Sequence, residues 1–167
     1  GIEPSEPMVR YANDVLTLEN VKCGTYDEAS YEPEYFDAIH CFHVLEHIFK
    51  IDAILRAMYL QLKPAGMLAL SVPSVDLAKQ ESDFDGVLGF DHIYSFSEKW
   101  FRTNLPRYGF TILEIFHAPF NLEELGPDNP GKEFSVSEIG DVPGGIYAFA
   151  RKQSYESGQE VRYPGKV

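Results

Sequence analysis

Two cysteines, one tryptophan and three methionines are all that this 167-residue chain has of those residues, and only 14 Lys and Arg stand against 26 Asp and Glu. Each shortage excludes something. Cys23 and Cys41 fall at the ends of predicted strands rather than at disulfide-framework spacing, so both read as reduced thiols of a cytoplasmic-type compartment. The formal net charge of −12 repels phosphate backbones, which proteins grip by neutralising them with Lys and Arg, and this argues against nucleic acid as the main partner. No apolar run approaches the ~18 residues that a membrane span needs, and no basic segment leads into an apolar stretch at the N-terminus. A membrane partner is therefore not expected. Internal repeats and low-complexity tracts are absent as well.

What is present is a globular composition, 44% apolar and 14% aromatic, enough for one core of ordinary size. The chain is organised around Phe36-Asp37-Ala38-Ile39-His40-Cys41-Phe42-His43-Val44-Leu45-Glu46-His47-Ile48. Its first half reads as a buried strand, and its second half sets two histidines and a glutamate where that strand gives out. In open α/β sheets, ligands bind beyond the carboxyl ends of strands, so these polar groups face a candidate site.

Before it, Gly1-Ile2-Glu3 reads as a strand end, Ser5 as the N-cap of a short helix ending near Asn13-Asp14, and Val15 to Val21 as a strand. Asp27 to Tyr35 reads as a loop. Afterwards Ile51, Ile54, Leu55, Met58 and Leu62 share one helical stripe, which Lys63-Pro64-Ala65-Gly66 ends. Met67 to Pro73 is a continuously apolar strand of the kind covered on both faces. Residues 74–94 form a long connection, Ser97 to Arg107 a helix burying Trp100, Phe101 and Leu105, and Phe110 to Phe116 a strand. Residues 118–143 read as an insertion, Gly145 to Ala150 as a final strand antiparallel to the one before, and Gln153 to Val167 as a polar tail. The pattern gives an α/β layered domain with a largely parallel sheet over residues 1–151, followed by the tail at 152–167.

Several residues could carry chemistry. Glu3, at a strand's carboxyl end, could accept hydrogen bonds from ribose hydroxyls or be a solvated charge. His43-Val44-Leu45-Glu46-His47 satisfies H-x-x-E-H, the inverted zinc-peptidase signature. It starts straight off a strand, in a short chain, with no third acidic ligand in view, so no metal ligand is assigned. His92 and Tyr94 close the long connection, where a histidine could act as general base or lie on the surface. His40 reads as a strand-interior residue with a hydrogen bond, His117 has no visible partner, and Trp100 with Phe101 reads as core.

Three segments together resemble a known family. Gly1 to Ser5 with Pro7 to Ala12 resembles the second-strand motif of class I S-adenosylmethionine-dependent methyltransferases, and Phe36 to Ile48 their fourth-strand motif. Leu62 to Pro73, opening on Lys63-Pro64-Ala65-Gly66, resembles their fifth strand, and His92 to Phe96 and Tyr108 to Ile112 continue the likeness. The resemblance implies a Rossmann-like methyltransferase sheet, mostly parallel with an antiparallel final strand, and methyl transfer from S-adenosyl-L-methionine to a small molecule such as a saccharide or quinone-like metabolite. It implies that Glu3 binds the ribose, Thr25 and Tyr26 border the adenine, and Cys41, Phe42 and His43 line the methionine arm. Thr25 stands where the family often has an acidic residue. His47 and His92 are the candidate bases. The family's first strand and glycine-rich loop would precede Gly1, so the chain reads as N-terminally truncated, with poor cofactor affinity and impaired activity. The gap in the sheet would then be closed by direct pairing of the flanking strands or by a second chain, and a homo-oligomer is expected through strand edges or the tail. The alternatives are a non-catalytic methyltransferase-like interaction module and, third, the H-x-x-E-H zinc peptidase.

Overall fold

A computed structural model describes residues 1–26, 31–81, 84, 87–88, 91–118 and 144–153. The expected insertion and the tail lie almost wholly outside the described residues. Strands β1 (Ile2–Glu3) and β2 (Lys22–Cys23) form a parallel pair, with helix α1 (Glu6–Arg10) between them in sequence. Strands β3 (Phe36–Phe42), β4 (Leu62–Pro73), β5 (Phe110–Ala118) and β6 (Gly145–Lys152) form a second sheet in the order β3-β4-β6-β5. β3 and β4 are parallel, and β6 runs antiparallel to both β4 and β5. Helices α2 (Ile51–Gln61), α3 (Val75–Glu81) and α4 (Glu98–Asn104) complete the α/β arrangement.

The core follows from the sequence periods. Ile54, Leu55 and Met58 of α2 meet Leu68, Leu70 and Val72 of β4 and Ile146, Ala148 and Ala150 of β6, with Phe101, Leu105 and Phe110 in the same cluster. β4 and β6 are the inner strands of the sheet, which is why β4 reads as a near-continuous apolar run. Ser97 caps α4 by accepting the Trp100 N–H at 3.3 Å, the bond expected of an N-cap serine. Gly109 sits at φ 88°, and a Cβ there would lie 2.5 Å from Cε2 of Tyr59, so the backbone conformation and the close approach both require glycine.

Several expectations are corrected. The segment from Val15 to Val21 is not a strand: Tyr11–Val15 continues α1 as a π-type turn, and only Lys22–Cys23 pairs. Leu16 and Leu18 stay exposed, because no sheet layer among the described residues covers them. Ser5 precedes α1 but its hydroxyl makes no cap bond; instead its N–H donates to Oε1 of Glu3 at 2.8 Å. α2 passes directly into β4 at Leu62, and the left-handed residue is Ala65 at φ 61°, not Gly66. A Cβ on Gly66 would meet the Lys63 carbonyl at 2.8 Å and that of Asp37 at 3.1 Å, so this glycine serves close strand approach. The connection after β4 contains α3, which no periodic stripe announced. Direct pairing of the strands flanking the expected gap is also overturned, since β1 and β3 belong to separate sheets.

Candidate functional site

The site begins where β3 ends. The backbone N–H of His43 donates to the Ser71 carbonyl of β4 at 2.8 Å, extending the ladder by one bond. His43 then takes φ 51°, which turns the chain out of the sheet; a non-glycine residue held there stores strain, a common feature of functional sites. Its Nε2 lies 3.4 Å from Oγ of Ser71 and its Nδ1 3.6 Å from Oε1 of Glu46.

The next residues form a single 3₁₀ turn, Leu45–His47. Leu45 anchors it in the core at full burial, and Glu46 is carried inside with it, 1% exposed. Neither oxygen of the Glu46 carboxylate has a hydrogen-bond partner among the described residues. The Glu46 backbone carbonyl accepts from the N–H groups of Ile93 at 2.8 Å and Tyr94 at 3.2 Å, and the Tyr94 hydroxyl donates to the Phe49 carbonyl at 3.1 Å. These bonds clamp the end of the long connection onto the turn and bring His92 to His47, with ring centroids 4.9 Å apart.

Hydrogen bonds set the tautomers of both rings. Nδ1 of His47 lies 3.1 Å from the Asp91 carbonyl oxygen, and Nδ1 of His92 lies 3.1 Å from that of Val87. A carbonyl only accepts, so each Nδ1 carries a proton, and a ring in its neutral form presents an Nε2 lone pair. Nε2 of His47 is 3.8 Å from Oε1 of Glu46. Burial pushes the Glu46 carboxyl above the ordinary carboxylate range, opposed by its own backbone N–H and by His47 and His92. Burial likewise pulls His43 below the usual imidazole value, helped by His92 and His47.

The residues expected to hold a cofactor divide between the two sheets. Glu3 is half-buried at the end of β1 and its carbonyl accepts the Gly24 N–H at 3.1 Å. One carboxylate oxygen takes the Ser5 N–H, and the other has no hydrogen-bond partner among the described residues. Thr25 follows, exposed. The half-buried Tyr26 donates its hydroxyl to Oε1 of Gln61, and its ring packs against the main core. Burial, with Cys41 and Tyr31 nearby, raises its pKa. The Cys41 thiol is buried in the core and pushed up to about 12 by burial and by the Glu46 charge, so this position can face a ligand only through its backbone. Phe42 is exposed, its ring 5.3 Å from that of His40 and 6.2 Å from that of Tyr147.

The structure thus brings His43, His47 and His92 into one cluster and keeps Glu3 of the other sheet with Gly24 and Thr25, which follow β2. The sequence pattern joins His43, Glu46 and His47 and sets His92 apart, but gives no sign that Glu46 is the buried centre of the group. The H-x-x-E-H spacing was the signal for the grouping, but its peptidase geometry is absent: His43 at φ 51° and Val44 at φ −135° lie outside any helix. His40 is exposed on β3 rather than interior. His117 does have partners, Oγ of Ser74 at 3.0 Å and Oε2 of Glu98 at 3.1 Å.

The sequence profile of a methyltransferase domain matches residues 1–115. No curated protein sequence matches the chain. Solved structures are similar at low identity. The SAM-dependent methyltransferase from Archaeoglobus fulgidus superposes with a TM-score of 0.65 at 18% identity, over 91% of this chain and 75% of that one. The methyltransferase chain in the complex with the Haloferax volcanii Trm112 methyltransferase activator gives 0.67 at 14% identity, over 93% and 72%. The [4+2]-cyclase SpnF gives 0.62 at 16% identity, over 92% and 65%. A fold that carries both names fixes the scaffold and leaves the chemistry to the site.

Proposed function

The chain belongs to the methyltransferase-domain family, and from that premise we propose that it moves a methyl group from S-adenosylmethionine to a hydroxyl of a small acceptor, of saccharide or quinone-like class. The observation that supports this most is the convergence of His43, His47 and His92 at the carboxyl end of β3, the edge where open α/β sheets bind ligands. The cofactor, when bound, supplies an electrophilic methyl on a sulfonium.

The chain's residues fit that group. Glu3 keeps one carboxylate oxygen without a partner among the described residues, in position to accept from a ribose hydroxyl. The exposed Thr25 can border the base, and the backbone of Cys41 to His43 with the exposed Phe42 ring can line the methionine arm. The Nε2 lone pair of His47 or His92 can take the acceptor's hydroxyl proton, a role worth about 10²–10⁴ in rate. Both rings are only half-buried, so an acceptor can reach them.

Glu3→Gln tests the ribose assignment. The expected result is at least about a tenfold loss in S-adenosylhomocysteine affinity, the size of a lost charge-assisted hydrogen bond, with the unfolding midpoint unchanged. Equal affinity in variant and parent would refute the assignment. Among the described residues β1 and β3 each pair on one side only, and a free edge is a template for another strand; these edges are where a second copy of the chain would join. Sedimentation velocity that finds monomer at all concentrations would refute that contact.

A further inference from the structure

Glu46 poses a problem that methyl transfer does not solve. A carboxylate 1% exposed with no hydrogen-bond partner for either oxygen among the described residues is costly unless a cation compensates it. The Nδ1 atoms of His47 and His92 are committed to backbone carbonyls. In its neutral, Nδ1-protonated form His47 offers the carboxylate a lone pair from Nε2, 3.8 Å from Oε1 of Glu46. A carboxylate oxygen of Glu46 and one nitrogen each of His47 and His92 lie within 4.8 Å of one another. Three groups able to ligate a metal converge on one small space.

We propose that Glu46, His47 and His92 bind a divalent transition-metal ion, zinc being the best match to two imidazoles and one carboxylate. The separations fit. Metal–ligand bonds near 2.0–2.1 Å in a tetrahedron place neighbouring donors about 3.3 Å apart, and Glu46 to His47 is 3.8 Å. That pair closes by contracting about half an ångström, and no separation among the three exceeds 4.8 Å, a closure of at most about 1.5 Å. Its outer shell is already built: each ligating ring donates its other N–H to a backbone carbonyl, the arrangement that fixes metal-bound histidines. Asp91 adds a carboxylate 3.7 Å from Nδ1 of His47. The clamp from the Glu46 carbonyl to Ile93 and Tyr94 holds the loop ligand against the turn ligands.

Three protein ligands leave a fourth position open, which is how metals that polarise a substrate oxygen are held. Only the identity of that oxygen, the acceptor hydroxyl, rests on the methyl-transfer reading. The ion would then take over from the bare imidazoles the task of loosening its proton. The ligand roles also separate this site from the peptidase pattern, because Glu46 here binds the metal and the third ligand, His92, comes from a different loop.

The test needs no cofactor, so its failure and that of methyl transfer are separable. The chelator-stripped 167-residue chain is titrated with Zn²⁺ by calorimetry, with Co²⁺ followed by its visible spectrum and Mg²⁺ as a hard-cation control. The expected result is one equivalent of Zn²⁺ bound at micromolar affinity or tighter, a tetrahedral Co²⁺ spectrum, and no Mg²⁺ binding. Glu46→Gln and His92→Ala each weaken Zn²⁺ at least about tenfold, while His40→Ala and His117→Ala leave it unchanged. Circular dichroism checks each fold; should Glu46→Gln not fold, His92→Ala on its loop decides. Failure to bind one equivalent, or binding that survives His92→Ala but is lost in His40→Ala or His117→Ala, overturns the proposal.

Discussion

The two sheets hold themselves together by different means. In the four-stranded sheet, Leu62, Leu68, Val72, Ile146, Ala148 and Ala150 are fully buried, and Phe101, Leu105 and Phe110 seal them. In the N-terminal unit, from β1 through α1 to β2, Val9 is the one buried apolar side chain, while Met8, Val15 and Leu18 are more than half exposed. That unit relies on a few backbone bonds, Lys22 N–H to the Gly1 carbonyl and Gly24 N–H to that of Glu3, and on Nδ2 of Asn13 donating to the Val21 carbonyl. Burial of apolar area is the dominant stabilising term in folding. The well-packed sheet therefore fixes the Glu46–His47–His92 cluster, and the thinly packed pair presents Glu3. The groups proposed for acid–base work are on the rigid side and the proposed ribose contact on the weaker one.

Core truncations break this contrast most directly. Phe101→Ala is expected to cost about 3–5 kcal/mol of unfolding free energy, whereas Val9→Ala, in a unit with little else to lose, costs about 1 kcal/mol or less. Urea unfolding checks both, and equal losses would show the two regions to be equally packed. Next in size is the metal-free chain's response to Glu46→Gln. Removing a buried carboxylate whose oxygens have no hydrogen-bond partner among the described residues raises stability, by about 1–3 kcal/mol from the cost of unsatisfied buried groups. The sign with pH follows from the raised folded-state pKa of Glu46. The parent loses stability as pH rises from the ordinary carboxylate range through that value, so the variant's gain is present at pH 7–8 and fades toward pH 4.

His43 acts on the other side. Its folded-state pKa is depressed, so protonation disfavours the native state and stability falls as pH drops below about 6.5, the unfolded value. His43→Gln removes that slope, and thermal unfolding between pH 7 and 5 reads it. Smaller again is Ser97→Ala, which removes the cap on α4 at about 1 kcal/mol. Hydrogen exchange sharpens the contrast without a mutation. The Lys22 and Gly24 amides should exchange well before those of Leu70 and Ala148, because structure with few buried contacts opens at lower free energy.

Much of the sheet was legible because its signals were local. β4 announced itself as an apolar run, α2 by a stripe from Ile51 to Leu62, and β5 and β6 by apolar segments placed after glycine. The segment from Val15 to Val21 misled for the opposite reason: alternation is meaningful only where a second layer covers one face, and none of the described residues forms one here. α3 escaped because Val75–Glu81 buries little and shows no apolar stripe. In the site, His43, His47 and His92 were named from the ends of elements. That Glu46 would be buried between them was not readable, since its burial depends on Leu45 pulling a single turn into the core. The partner of His117 was hidden too, for Ser74 and Glu98 are distant in sequence and meet it only when the strands pair.

The central claim, that both sheets contribute to one adenosyl site, is tested most directly by mapping backbone amide shifts while S-adenosylhomocysteine is titrated into the isotope-labelled chain. The predicted result is one set of perturbations that saturates together at Glu3, Gly24 and Thr25 on one side and at Cys41 to His43 on the other. Perturbations confined to one of these groups, or none up to millimolar ligand, would contradict it.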